Sequence, residues 1–158
     1  MQIASNDADQ IIPHMWLGNF RSSQNIDFIR NNHITVIINC TKDLPFLNVN
    51  DIYKYRVPVD DNLQKREILS MAQWIGKILP IIEEHYSQGR CILIHCAAGM
   101  QRSAIIVLSF LCSHGSIDPK AALVQIRVKR PIVFSPFMNF GTSFRLCFGE
   151  RAYAGLVR

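Results

Sequence analysis

Short apolar runs alternate along this chain with longer stretches of helical periodicity. Residues 34–38 form a β-branched run and residues 91–95 an apolar run, both typical of strands that are buried on two faces. Apolar residues recur at helical spacing from residue 65 to 86, and residues 103–112 are almost wholly apolar. Because strands and helices alternate, the pattern predicts an α/β fold.

Two further strands are predicted from alternation and turn chemistry. Residues 11–18 are typical of one edge strand, since Pro13 is tolerated only at an edge or a strand start and Gly18 ends the run. Residues 53–59 alternate between apolar and polar positions, and turn-forming residues follow from Asp60. We therefore expect a loop to begin there.

Caps and helix breakers locate the remaining helices. Asn25 is a suitable N-cap for a short helix, and Asp118 followed by Pro119 has the N-cap and first-turn chemistry of another. Pro80 lies within the long helical segment and is expected to kink or split it. The last residues, 154–158, are expected to fray.

The size and composition indicate a single domain. The chain has 158 residues, of which 49% are hydrophobic and 18% charged, and no repeat or linker interrupts it. We expect the domain to span residues 10–150, with an N-terminal extension of residues 1–9 and a C-terminal tail of residues 151–158. The longest apolar stretch, within residues 104–112, is too short to cross a bilayer, so no membrane insertion is expected.

Charge and cysteine content narrow the class of protein. The net charge is +5, but the basic residues are scattered, so a nucleic-acid partner is not expected and anionic substrates are mildly favoured. The five cysteines form no C-x-x-C pair, which predicts free thiols and no metal site. The first ten residues lack an apolar secretory block, which favours a cytoplasmic location and leaves a nuclear one open.

One contiguous segment carries chemistry: His95-Cys96-Ala97-Ala98-Gly99-Met100-Gln101-Arg102-Ser103. It joins a predicted buried strand to a predicted helix. A helix start leaves backbone N–H groups unpaired and carries a positive dipole end, so a loop at this position can cradle a dianionic phosphoryl group. Glycine lets such a loop fold tightly. The predicted phosphate ligands are the backbone amides of Ala97, Ala98, Gly99, Met100, Gln101 and Arg102.

Cys96 is the candidate nucleophile of this segment. Inward amides lower the pKa of a thiol and so supply the thiolate that attacks phosphorus. Arg102 adds a planar fork for two equatorial oxygens of the transferring group. His95 is expected to be a buried ring that organises the loop, and Ser103 a hydroxyl that steadies the departing thiolate. A core cysteine beside a surface arginine is the ordinary alternative, but five such residues at fixed offsets disfavour it.

The proton donor to the leaving group has to come from outside this loop. An alkoxide is a very poor leaving group, so its departure needs a proton. The pair Asp60 and Asp61, after the predicted strand of residues 53–59, is the best candidate, and either carboxyl group fits.

The motif resembles the His-Cys-x5-Arg-Ser/Thr signature of the protein tyrosine phosphatase superfamily. Over about residues 10–150 the chain resembles its dual-specificity branch, since residues 12–18 are similar to the opening strand, 57–61 to the acid loop and 127–136 to the late arginine segment. The resemblance implies one phosphatase catalytic domain with a central, mostly parallel sheet of four to five strands flanked by helices. It also implies hydrolysis without metal or cofactor through a phosphocysteine intermediate.

The resemblance further implies residue roles and a substrate class. In the family's Pro-x-x-Asp pattern the aspartate is the general acid, which selects Asp61 over Asp60. Arg130 falls where some members keep an arginine near the pocket mouth, which implies phosphate binding, although a solvated surface charge fits this position too. The implied activity is a dual-specificity protein phosphatase acting on phosphotyrosine and phosphoserine or phosphothreonine in a phosphorylated protein.

Three features depart from the family pattern. Pro136-Phe137 stands where the family often has Pro-Asn, so a supporting hydrogen bond near the loop is either missing or supplied otherwise. Pro80 interrupts the helix after the acid loop. The loop carries no lysine, unlike that of the phosphoinositide phosphatases, which disfavours a lipid substrate.

Other functions remain open at this point. Some superfamily members are RNA 5′-triphosphatases, and a catalytically weak phospho-binding module is a further alternative, although such modules usually lose the cysteine or the arginine. Low-molecular-weight phosphatases use an Asp-Pro acid, but Asp118-Pro119 is better explained as a helix cap. Cys40 is either a buried apolar residue or a thiol that captures oxidised Cys96.

Overall fold

Five strands form one central sheet in the order β1-β2-β5-β3-β4. The structure is a computed structural model and describes residues 5–157. Strands β1 and β2 pair antiparallel, whereas β2–β5, β5–β3 and β3–β4 pair parallel. The mostly parallel sheet of four to five strands that the family resemblance implies is thereby confirmed. The strands are β1 Ala8–Ile12, β2 Met15–Gly18, β3 Ile34–Asn39, β4 Tyr53–Arg56 and β5 Cys91–His95.

Helices cover both faces of the sheet. On one face a large core lies between the sheet and the long helices, and on the other a small cluster of Ile29, Ile34, Ile37, Ile52 and Leu93 is buried. Strands β3 and β5 therefore contribute apolar side chains to both faces, as their unbroken apolar runs predict. The helices are α1 Phe20–Ser23, α2 Ile26–Asn31, α3 Lys65–Ser87, α4 Arg102–Gly115, α5 Pro119–Lys129, α6 Gly141–Phe148 and α7 Glu150–Leu156.

The predicted caps at Asn25 and Asp118 are confirmed. The Asn25 side chain accepts a hydrogen bond from the backbone N–H of Phe28 at the start of α2. The Asp118 side chain accepts one from the N–H of Ala121, with Pro119 in the first turn of α5. The Asp-Pro pair is thus explained by its structural role.

The prediction of one edge strand over residues 11–18 is wrong. Those residues contribute to two strands of a hairpin, in which Ile12 pairs with Met15 across Pro13 and His14. His14 has a positive φ of 70°, so the chain reverses at this point. Pro13 starts a turn here, and β1, which begins at Ala8, occupies the edge of the sheet.

Helix α3 is not split by Pro80. It runs through that residue as one helix of 23 residues. A proline removes the hydrogen bond to the carbonyl four residues earlier, here that of Gly76. Both Gly76 and Pro80 lie on the exposed face of α3, where water can replace the lost donor.

The described residues near both ends of the chain form more regular structure than expected. The expectation that residues 154–158 fray is wrong for residues 154–156. These residues belong to α7, and Leu156 at its end is only 2% exposed. The outer boundaries at residues 9 and 151 fall within β1 and α7, which both pack on the domain. Residues 1–4 of the expected N-terminal extension and Arg158 of the expected tail lie outside the described residues.

Docking of α7 is testable by a pair of substitutions. Leu156→Ala is expected to lower the free energy of unfolding by about 2–4 kcal/mol, because it removes a buried side chain from the core. Val157→Ala is the matched control: its side chain is 58% exposed, so a change within about 0.5 kcal/mol is expected. Urea unfolding curves measure both, and equally small effects would contradict a docked α7.

Candidate active site

The loop of residues 96–101 lies between the carboxyl end of β5 and the start of α4. Its carbonyl groups are tied to donors outside it: that of Ala97 accepts from the Phe20 N–H at 3.0 Å and that of Met100 from the Phe134 N–H at 2.9 Å. Those of Ala98 and Gly99 accept from the Arg130 side chain. In a trans peptide the N–H points opposite to the C=O, so the amides of residues 98–101 point to the other side. The loop therefore presents a cradle of donors.

Glycine is required at position 99 for two reasons. Its φ is +67°, a conformation that side chains other than glycine rarely adopt. A Cβ atom there would lie 2.5 Å from the carbonyl oxygen of Gly18 and 2.8 Å from an Arg130 nitrogen. The tight fold of the loop that the sequence predicts thus depends on Gly99.

The Cys96 sulfur is the focus of several hydrogen-bond donors. Its side chain is only 3% exposed, with the Ser103 Oγ at 3.1 Å and the Gly99 N–H at 3.3 Å from the sulfur. Burial by itself would raise the pKa of the thiol, but the hydrogen bonds from Ser103, the charge of Arg102 and the Gly99 amide together lower it below its ordinary value. These contacts favour the ionised form of Cys96 more than in a free cysteine.

Arg102 is held at the start of α4 beside this sulfur. One terminal nitrogen, Nη1, donates to the Val59 carbonyl at 3.0 Å. Its Nε is buried and has no hydrogen-bond partner within residues 5–157. Arg102 and Cys96 line a cavity of about 360 Å³, so the guanidinium has donor capacity for an anion at this point.

His95 is a neutral, buried ring behind the loop. Burial comes first among the causes that lower its pKa to about 4. Its Nδ1 lies 3.2 Å from the Cys96 carbonyl oxygen, and because a carbonyl only accepts, the proton of the neutral ring is on Nδ1. His95 therefore contacts the loop at Cys96, the candidate nucleophile.

The two candidate acids differ in their surroundings. Asp61 lines the same cavity as Cys96, and its Oδ1 accepts from the Asn139 side chain at 2.9 Å. The Asp60 carboxylate is instead 3.2 Å from the Lys42 ammonium, and its backbone N–H donates to the buried Glu67. Asp60 thus anchors the loop, and only Asp61 shares a cavity with the sulfur.

The implied role of Arg130 in phosphate binding is wrong. Its side chain is buried on the carbonyl side of the loop, donating to Gly99 O at 2.9 Å and Ala98 O at 3.2 Å. A third nitrogen, Nη1, donates to Asn6 O and pairs with the Asp9 carboxylate at 2.8 Å. Arg130 supports the loop from behind because buried carbonyl groups need donors.

Sequence reasoning missed Asn139 and the side chain of Gln101. The Gln101 amide donates to Phe137 O at 2.6 Å and accepts from the Asn139 N–H at 3.0 Å. The family often has asparagine where this chain has Phe137, which left open how the loop is supported by hydrogen bonds. The bonds of Gln101 supply that support here. The sequence did contain a sign of this role: Gln101 has a long amide side chain inside a tight loop. Only its backbone N–H was predicted to have a function.

The surroundings of the site contain further groups. Cys40 is fully buried at the end of β3, and its pKa is raised well above the ordinary value by burial and then by the neighbouring charge of Cys96. All five cysteines are free thiols. Among residues 5–157, no three His, Cys, Asp or Glu side chains are grouped so as to hold a metal ion, and no helix there is long and apolar enough to cross a membrane.

Two dual specificity protein phosphatases match most of this chain. It is 27% identical over 141 residues to dual specificity protein phosphatase 16 from Homo sapiens, covering 89% of this chain and 20% of that protein. It is 28% identical over 133 residues to dual specificity protein phosphatase 9 from Homo sapiens, covering 83% of this chain and 33% of that protein. The chain thus spans a fifth to a third of the length of these two relatives.

A solved structure supports the fold independently. The crystal structure of human DUSP28 superposes with a TM-score of 0.80 at 18% identity, covering 93% of this chain and 96% of that one. The family model "Dual specificity phosphatase, catalytic domain" matches residues 15–147, from β2 to within α6. This protein therefore belongs to the dual specificity phosphatase catalytic domain family.

Proposed function

We propose that this protein is a protein phosphatase that hydrolyses phosphotyrosine and phosphoserine or phosphothreonine monoesters through a phosphocysteine intermediate. The observation that carries the proposal is the convergence on the Cys96 sulfur of a hydroxyl, a backbone amide and the charge of Arg102, which together lower the thiol pKa. Family membership supports the protein substrate and the dual specificity.

In the first step, the Cys96 thiolate forms a bond to phosphorus as the phosphorus–oxygen bond to the substrate breaks. The backbone amides of residues 98–101 and the Arg102 guanidinium bind the phosphoryl oxygens, whose negative charge is spread over the transition state. The protonated Asp61 carboxyl group donates its proton to the departing oxygen. The products are the phosphocysteine and a neutral alcohol or phenol.

In the second step, water attacks phosphorus and the sulfur leaves. The Asp61 carboxylate takes a proton from the water, and inorganic phosphate forms as the phosphorus–sulfur bond breaks. The Ser103 hydroxyl, 3.1 Å from the sulfur, donates a hydrogen bond to the returning thiolate. All groups needed for both steps come from the chain, and the proposal involves neither a metal nor a cofactor.

The alternative of an RNA 5′-triphosphatase is less well supported. A cavity of about 460 Å³ adjoins the loop beside Arg102, and the carboxylates of Asp43, Asp60 and Asp61 line it. Such carboxylates repel a polyanionic chain. The alternative of a weak phospho-binding module is disfavoured because both Cys96 and Arg102 are present. Release of phosphate from triphosphorylated RNA compared with a phosphotyrosine peptide distinguishes the two enzymatic activities.

The nucleophile and its arginine are tested by two substitutions. Cys96→Ser is expected to abolish turnover and to retain phosphate binding, because an alcohol is not ionised at neutral pH. Arg102→Lys is expected to lose most activity, since a point charge cannot replace the planar fork. Steady-state hydrolysis of an aryl phosphate and binding of inorganic phosphate measure both. Turnover of Cys96→Ser near the wild-type rate would contradict the mechanism.

The general acid is tested by the dependence of the rate on the leaving group. Asp61→Asn is expected to lower kcat/KM for a phosphotyrosine and a phosphothreonine peptide by roughly 10²–10⁴-fold, with a much smaller loss on p-nitrophenyl phosphate, whose leaving group needs little protonation. Asp60→Asn is the matched control and should change kcat/KM far less. If Asp60→Asn shows the selective loss instead, the assignment is off by one residue.

The role of Ser103 is tested by the pH dependence of kcat/KM. Because hydrogen bonding by Ser103 lowers the Cys96 pKa, Ser103→Ala should raise it. A higher pH is then needed for the same thiolate fraction, so the acidic limb of the profile moves to higher pH. Ser109→Ala is the control. It removes a buried hydroxyl of the same helix, and this hydroxyl has no hydrogen-bond partner within residues 5–157, so the acidic limb should stay in place. An unmoved limb in Ser103→Ala would contradict this role.

A further inference from the structure

The segment before α6 connects the phosphate-binding loop to the acid loop. Asn139 makes two hydrogen bonds in different directions: its side-chain amide donates to Asp61 Oδ1 at 2.9 Å, and its backbone N–H donates to Gln101 Oε1 at 3.0 Å. The other end of the Gln101 amide donates to Phe137 O at 2.6 Å. Three loops that are far apart in the chain therefore meet at one residue.

The Asp61 side chain needs such a contact to be held in place. Asp61 lies on an exposed stretch of the chain, where a carboxylate has free choice of rotamers. Asn139 is half-buried and is followed by Phe140, which is 1% exposed and fixed in the core at the start of α6. The Asn139 side chain, whose backbone is anchored by the core, thus restrains Asp61, whose own backbone is exposed.

Gln101 gives this restraint a fixed position relative to the nucleophile. It is 6% exposed and lies directly before Arg102 in the loop that cradles the phosphoryl group. Both polar atoms of its side chain are satisfied by the segment of residues 137–139. The distance between the acid and the reacting phosphorus is then set through a short series of hydrogen bonds and not by the acid loop alone.

We propose that Asn139 is a positioning residue that aims the Asp61 carboxyl group at the leaving oxygen, and that Gln101 ties this aim to the phosphate-binding loop. The proposal rests on the proposed role of Asp61 as general acid.

The chemistry of the contact fits both protonation states of the acid. An amide N–H bonds to Oδ1 whether Asp61 is ionised or neutral, since the carbonyl oxygen of a carboxylic acid also accepts. The acidic proton of neutral Asp61 is therefore on Oδ2, the oxygen that Asn139 leaves free. The same oxygen receives the proton from water in the second step, so one contact serves the transfer in both directions.

The decisive test compares two substrates that differ only in the leaving group. Asn139→Ala is expected to lower kcat/KM for phenyl phosphate, which reports only the steps up to the phosphocysteine, by about 10- to 100-fold, the loss typical of a small displacement of a catalytic group. For p-nitrophenyl phosphate the expected loss is less than about threefold, because its leaving group departs with little protonation. A purely structural role would lower both rates by the same factor.

A double-mutant cycle separates this proposal from that of the general acid. In the Asp61→Asn background, Asn139→Ala should have no further selective effect on phenyl phosphate, since there is no proton left to aim. If Asp61→Asn slows phenyl phosphate more than p-nitrophenyl phosphate and Asn139→Ala does not, the positioning proposal is wrong, whereas the proposed role of Asp61 as general acid is retained. If Asp61→Asn itself is not selective, the proposed function of Asp61 fails first.

The role of Gln101 is tested in the same way. Gln101→Ala should reproduce the selective loss on phenyl phosphate, with inhibition by inorganic phosphate unchanged within about twofold, since it removes only side-chain contacts. Weaker phosphate inhibition with equal losses on both substrates would overturn the coupling. Asn31→Ala, at an exposed asparagine of α2, is the control for general effects, and thermal unfolding checks that each variant is folded.

Discussion

The planar peptide bond is the constraint on which this site depends. An amide can point into a phosphate cradle only if the carbonyl of the same peptide unit points out of it. In the loop after β5, four successive carbonyls point outward and each has a donor: the backbone N–H groups of Phe20 and Phe134, and two nitrogens of Arg130. Without those donors the outward carbonyl groups would lose their protein partners, and the inward arrangement of the amides would be less stable.

The rest of the fold supplies these donors from distant parts of the chain. Phe20 follows β2, which pairs with β5 in the sheet, and both Phe134 and Arg130 follow α5. Arg130 is itself neutralised by Asp9 of β1, so even the edge strand contributes to the loop. A buried guanidinium is tolerated because its nitrogens are satisfied and its charge is paired.

The acid side of the site is held by weaker and more exposed contacts. Asp60 is tied to Lys42 at the surface, and Asp61 has its hydrogen bond to Asn139. Cys96, the proposed nucleophile, is thus embedded in the core, whereas Asp61, the proposed acid, lies on a loop that lines the cavity. This division fits the proposed mechanism, in which the thiolate needs a fixed field of donors and the acid has to meet leaving groups of different shapes.

The sequence by itself determined the features that depend on neighbouring residues. Strand β5, the loop and α4 are contiguous, so the periodicity, Gly99 and the spacing of Cys96, Arg102 and Ser103 could be read directly. The caps at Asn25 and Asp118 are local for the same reason.

Only the tertiary structure decided which residues from distant segments meet. Arg130 lies behind the loop, and Asn139 faces Asp61 across 78 positions of sequence, which no local pattern encodes. The hairpin at Pro13 and the docking of α7 likewise depend on pairing and burial partners elsewhere in the chain. Hydrogen bonds and packing act through space, so the candidate site could be located from the sequence, whereas the distant residues that support it could not.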